Sequence, residues 1–186
     1  SRKIFEGLKI TEHKEFCEKW MNQCPVLFVS LKDVEAETFE GAYDMLKIKL
    51  SDICKGDEAL IADARLNEDD REVFKKIMFK TENPADVKSS LKTIMRMMHA
   101  AYGKKVILLI DEYDVPLAKA NEKDDGKNGF YASMLDVIRG IMSTALKDNE
   151  FLEFAVITGC LRIAKEKGLT VSFDGNFRSS LWSWEE

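Results

Sequence analysis

The chain has 186 residues, 28 Lys and Arg against 33 Asp and Glu, and a formal net charge of -5. That length organises one core, and 45 % hydrophobic with 33 % charged residues is a globular composition, which excludes a disordered or fibrous chain. The acidic balance argues against a nucleic-acid module, and no stretch approaches the roughly 18 apolar residues of a membrane span.

The N-terminus lacks the apolar run of a signal peptide. The four cysteines, Cys17, Cys24, Cys54 and Cys160, lie far apart without a disulfide framework, so the expectation is free thiols and a cytoplasmic location. Thr11 and Glu12, followed by Phe16, Cys17, Trp20 and Met21, read as a capped amphipathic helix that stops near Asn22. The run Pro25–Leu31 is too short for a buried helix and reads as a strand covered on both faces. Thr38 to Lys55 returns to helix, with Phe39, Ala42, Leu46 and Leu50 on one stripe and Gly56 as the expected C-cap.

Asn67, followed by Glu68, Asp69 and Asp70, is a helix start, because side-chain oxygen and negative charge suit unpaired amides. Asn83-Pro84-Ala85-Asp86 repeats the signal, and this second helix ends at Gly103. Its methionines read as core filler. Lys105–Ile110 is the clearest buried strand. A polar loop (Asn121 to Asn128), a helix from about Gly129 to Leu146, and a third strand, Phe154–Thr158, follow. Strands alternating with helices imply a parallel α/β sheet. From Leu169 to Phe173 and again from Asn176 to Trp184 the residues alternate with period two around Asp174-Gly175, the pattern of a β-hairpin.

The chemistry concentrates where the second strand ends, in Val106-Ile-Leu-Leu-Ile-Asp-Glu-Tyr-Asp114. In open parallel sheets ligands bind beyond the C-terminal strand edges, and two acids there suit metal-assisted phosphoryl transfer. Asp111 is positioned to hold Mg²⁺ and Glu112 to orient or deprotonate an attacking water, which is the Walker B pattern of P-loop NTPases. The third strand ends in Thr158-Gly159, with Arg162 three residues beyond. A hydroxyl at that tip suits contact with a water or γ-phosphate, and Arg162 suits stabilising transferred-phosphate charge. Tyr113 and Asp114 read as shaping the loop, and Pro116 as ending any extension of the strand. His13, Cys17 and Cys24 have no fourth ligand nearby, so a structural zinc is not expected. Lys119, Lys123 and Lys127 scatter among acids and read as a solvated surface.

The stretches Phe5–Ile10, Pro25–Glu35, Gly103–Ala120, Met134–Asn149 and Ala155–Glu166 closely resemble a predicted AAA-ATPase-like bacterial family, often joined to a C-terminal PD-(D/E)XK-type nuclease domain. The similarity covers roughly residues 4 to 166 and is sharpest in Asp111-Glu-Tyr-Asp114 and Thr158-Gly-Cys-Leu-Arg-Ile-Ala-Lys-Glu166. It implies an α/β, three-layer, P-loop NTPase-like parallel sheet of the additional-strand, catalytic-glutamate type. Asp111 and Glu112 are then its Walker B residues, with ATP and Mg as cofactors of the full-length family. The family's P-loop lies upstream of Phe5–Ile10. No G-x-x-x-x-G-K-[ST] occurs in the 186 residues, since Gly103-Lys104 and Gly126-Lys127 lack the first Gly and the Ser/Thr.

The resulting expectation is a truncated, partial AAA-ATPase-like domain over residues 1–166 with an atypical hairpin tail over 167–186. It holds no bound cofactor, Asp111 retains Mg only weakly without nucleotide, and the chain is inactive by itself. The alternative is a non-catalytic protein-interaction domain derived from the ATPase fold. The three strands should be mutually parallel, with Val106–Ile110 central and most buried, and helices on both faces. The edge of Phe154–Thr158 is expected to be covered by the tail hairpin, in the same chain or a neighbour, giving a homo-oligomer. No membrane or nucleic-acid partner is expected for this segment.

Overall fold

The computed structural model describes residues 2–63, 65–124 and 126–159. Two short 3₁₀ turns, Arg2–Phe5 and Lys9–Glu12, precede α1 (Lys14–Trp20), β1 (Val26–Ser30), α2 (Phe39–Gly56), α3 (Glu68–Phe79) and α4 (Pro84–Tyr102). There follow β2 (Val106–Asp111), α5 (Val115–Lys123), α6 (Phe130–Leu146) and β3 (Leu152–Ile157). None of these helices is long and apolar enough to cross a membrane.

Local chemistry sets most helix ends. The Thr38 hydroxyl accepts from Gly41 N–H at 3.2 Å, and Asn67 Oδ1 accepts from Asp69 N–H at 2.8 Å. Asn83 and Asp86 form a reciprocal capping box with Pro84 in the first turn. Gly103 closes α4 in the left-handed region (φ 65°), its N–H bonded to His99 O at 2.8 Å. Two ends differ from expectation. Gly56 is the last residue of α2 and Asp57 is its C-cap. Thr11 donates its hydroxyl to Leu8 O at 2.6 Å within the 3₁₀ turn, so α1 starts only after His13. The hydroxyl that pattern reading assigned to the helix is spent on the preceding turn.

The sheet has three strands in the order β1-β2-β3, and both pairings are parallel. β2 is therefore central, as expected. Its register aligns Leu27 with Leu108 and Ala155, and Val29 with Ile110 and Ile157. These side chains form one face, against which α2, α4 and α6 pack through Leu46, Leu50, Leu91, Ile138 and Ile141. Val106, Ile107, Leu108 and Ile110 are buried and only Leu109 is half-buried, so the run Val106–Ile110 is deeply enclosed, as expected of a central strand.

Strand alternation sends the intervening residues to the other face. There Val26 aligns with Ile107 and Phe154, and Phe28 with Leu109. Val26 is 48 % exposed, Phe28 57 % and Phe154 38 %. On this face Trp20, the last residue of α1, meets Phe154 edge-on with ring centroids 5.3 Å apart. Helices thus meet both faces among the described residues, α2, α4 and α6 packing on one and the short α1 touching the other through Trp20. The apolar run of β1 encodes two covered faces, and the second is covered only in part, leaving Val26 and Phe28 exposed. The expected hairpin of residues 167–186 lies outside the described residues.

Candidate functional site

The row of residues at the C-terminal ends of the strands is built by the same register. Ser30 aligns with Asp111, and Thr158 follows Ile157, the partner of Ile110. Alternation places Ser30, Asp111 and Thr158 on the sparsely covered face, directly beyond its apolar rows. The backbone holds this row from both sides. Leu31 N–H donates to Asp111 O at 3.0 Å, and Thr158 N–H donates to Ile110 O at 2.8 Å, continuing the β2–β3 pairing past the end of β3.

Side chains join two of the three. The Thr158 hydroxyl donates to Asp111 Oδ1 at 2.5 Å and lies 3.4 Å from Ile110 O. A charge-assisted bond of this kind is short and roughly twice as strong as a neutral one. It orients the carboxylate and uses the one hydroxyl proton of Thr158. Sequence reasoning placed both residues at the edge, and only the fold shows that they bind each other.

Glu112 is exposed and has φ 52°, in the left-handed region that a non-glycine residue enters at a cost of about 1–2 kcal/mol. Its carbonyl accepts from Val115 N–H at 3.2 Å, and Tyr113 N–H donates to Thr158 O at 3.2 Å. The turn therefore leaves the strand sharply, with Glu112 at its outer point while Tyr113 and Asp114, each 4 % exposed, turn inward. Asp114 O accepts from Leu117 N–H and Ala118 N–H at 3.0 and 2.8 Å, starting α5. Pro116 lies in the first turn of α5, so beyond β2, which ends at Asp111, it also opens a helix. Proline lacks the N–H that a first turn leaves unpaired anyway, which makes the position favourable.

Gly159 completes the packing. A Cβ built on it would stand 2.6 Å from Asp114 Oδ1 and 2.6 Å from Cδ1 and Cε1 of Tyr113. The glycine after Thr158 is required by close approach of the loop following β2. Arg162 lies outside the described residues. Lys119 and Lys123, read as solvated, pair on the surface with Glu35 at 3.7 Å and Glu37 at 2.9 Å. The hydrogen bond and the charge of Glu37 hold Lys123 above its ordinary pKa.

Among the described residues no cluster of three His, Cys, Asp or Glu side chains is placed to hold a metal. The row does fit a hydrated cation held by one carboxylate. Ser30 Oγ is buried and no described group offers it a hydrogen bond. Sequence reasoning missed Ser30, because a serine ending an apolar run carries no signal until strand register sets it beside Asp111. Gly159 was quoted without a role for a similar reason.

Comparison with known proteins came out one-sided. A family model described as Predicted AAA-ATPase matches residues 1–169. No curated protein and no solved structure is similar enough to match.

Proposed function

The chain belongs to the predicted AAA-ATPase-like family, and from that premise we propose that its C-terminal strand edge is the acidic side of an ATP-dependent phosphoryl-transfer site. The observation that carries the reading is the Thr158–Asp111 bond, which links the two strand tips that sequence reasoning had assigned separately to the site. Asp111 holds Mg²⁺ directly or through water, with the Thr158 hydroxyl fixing the carboxylate's rotation. Glu112, exposed on a left-handed turn, stands at the outer point where a side chain can take the proton of an attacking water. Arg162 is assigned to the charge of the transferred phosphate. A bound Mg²⁺ supplies charge neutralisation and alignment of phosphate oxygens.

These 186 residues contain the acidic edge without the Gly-rich cradle and its Lys, which supply most contacts to β- and γ-phosphates. By themselves they bind ATP no more tightly than about millimolar, roughly -4 kcal/mol, and do not turn it over. A second reading, a protein-interaction domain on the ATPase scaffold that associates through the open sheet, is favoured by the exposed Val26, Phe28 and Phe154.

Paramagnetic Mn²⁺, added with ATP and read by amide line broadening, separates the two. Preferential broadening at residues 111, 112 and 158, lost in Asp111→Asn, is the expected result. Broadening that ignores Asp111→Asn refutes the acidic edge and leaves the interaction reading. Micromolar ATP binding by calorimetry, or turnover that depends on Glu112, refutes the claim that this chain needs a cradle from elsewhere.

A further inference from the structure

Ser30 is the third member of the strand-edge row and has no role in the site as described above. It is the register partner of Asp111, so their backbones lie one strand spacing apart, about 4.8 Å. Both side chains leave the same face of the sheet. On the far side of Asp111, Thr158 already gives its proton to Oδ1. On the near side, the Ser30 hydroxyl is buried, with neither donor nor acceptor among the described residues. A buried hydroxyl left unpaired is costly, and native structures keep one mainly where a water, ion or ligand completes it. The asymmetry is chemical: one flank of the carboxylate is tied down by Thr158, and the other carries an unused hydroxyl.

We propose that Ser30 is a positioning residue of the cation site, accepting a hydrogen bond on Oγ from a water bound to the divalent ion at Asp111. This rests on the acidic-edge reading and adds a residue from a third strand to it. Divalent ions held by a single carboxylate keep most of their water, and each such water is a strong donor that needs an acceptor. Outer-shell partners of this kind set affinity by about tenfold or more when removed.

The test uses the full 186-residue chain, Mn²⁺ as the probe, and water-proton relaxation as the readout. Thr and Val are nearly isosteric, so Ser30→Thr and Ser30→Val differ by the hydroxyl and little else. Ser30→Thr is expected to keep the Mn²⁺ dissociation constant within about twofold, whereas Ser30→Val raises it about tenfold. The metal-free melting temperature of Ser30→Val should be no lower than that of Ser30→Thr, because in the absence of the ion the hydroxyl has no partner to lose. Equal Mn²⁺ affinity in the two variants overturns the proposal, as does a clearly lower metal-free melting temperature for Ser30→Val. Asp111→Asn separates the two levels. If it abolishes Mn²⁺ binding while the Ser30 variants bind equally, only the role of Ser30 fails. If it changes nothing, the acidic edge fails and the role of Ser30 with it.

Discussion

Replacing Gly159 by Ala puts one methyl group where the loop after β2 already stands. The new Cβ meets Tyr113 Cδ1 and Cε1 and Asp114 Oδ1 at 2.6 Å. Carbon atoms in contact settle at about 3.5–4.0 Å, so ring and methyl must part by roughly 1 Å. Neither side yields easily. Tyr113 is 4 % exposed, and its N–H is bonded to Thr158 O at 3.2 Å, which ties the ring's backbone to the strand tip carrying the glycine. Overpacking of this size costs about 1–3 kcal/mol. At about 2–4 °C per kcal/mol for a chain of this length, the melting temperature falls by roughly 2–12 °C. The cause can be isolated with a double-mutant cycle. In a Tyr113→Ala background the ring is gone, and Gly159→Ala should lose at least half its penalty. Thermal unfolding followed by circular dichroism measures all four proteins. A Gly159→Ala protein as stable as the parent, or a penalty indifferent to the Tyr113 ring, refutes the packing argument.

Two further predictions concern the helical layer. The Glu82 side chain is completely buried, neither carboxylate oxygen has a hydrogen-bond donor among the described residues, and Lys47 Nζ stands 3.6 Å away. Lys47→Met strands that charge and should cost about 3–5 kcal/mol by urea denaturation, with Glu82→Gln in the same background restoring much of it; additive effects would contradict the pairing. Burial, reinforced by the nearby charges of Asp57 and Glu82, pushes the Cys54 thiol from an ordinary value near 9.0 up to about 12. The folded pKa is raised, so the stabilisation is complete below pH 9, where both states keep the proton, and is lost as pH climbs toward 12. Replacing Cys54 by Ala should therefore flatten the decline of stability between those values, and native Cys54 should resist thiol reagents at neutral pH while half-buried Cys17 and Cys24 react.

Much of the fold was legible because its signals are local. Asn83-Pro84 and Gly103 bracket α4 by cap chemistry that needs no knowledge of neighbours, and Asn67 starts α3 in the same way. β2 was legible because five consecutive apolar residues ending in acids have few other homes. Errors arose where a residue had two local uses. Thr11 caps nothing in α1 because its hydroxyl serves the turn before it. Pro116, read only as ending the strand, also opens α5, since its missing N–H suits a first helical turn.

By itself the sequence determined the three strands, most of the helices though not α5, the acidic pair at the end of β2 and the family to which the chain belongs, because each depends on residues near one another in the chain. Tertiary structure alone decided which groups meet. Thr158 is 47 residues from Asp111, and Ser30 is 81 residues before it, yet strand register sets them in one row. It also decided that Gly159 must be a glycine, since the ring that excludes a methyl comes from another strand's loop. Pairing across strands is a property of register, and register is set by burying one whole face at once. No short stretch of sequence contains that information.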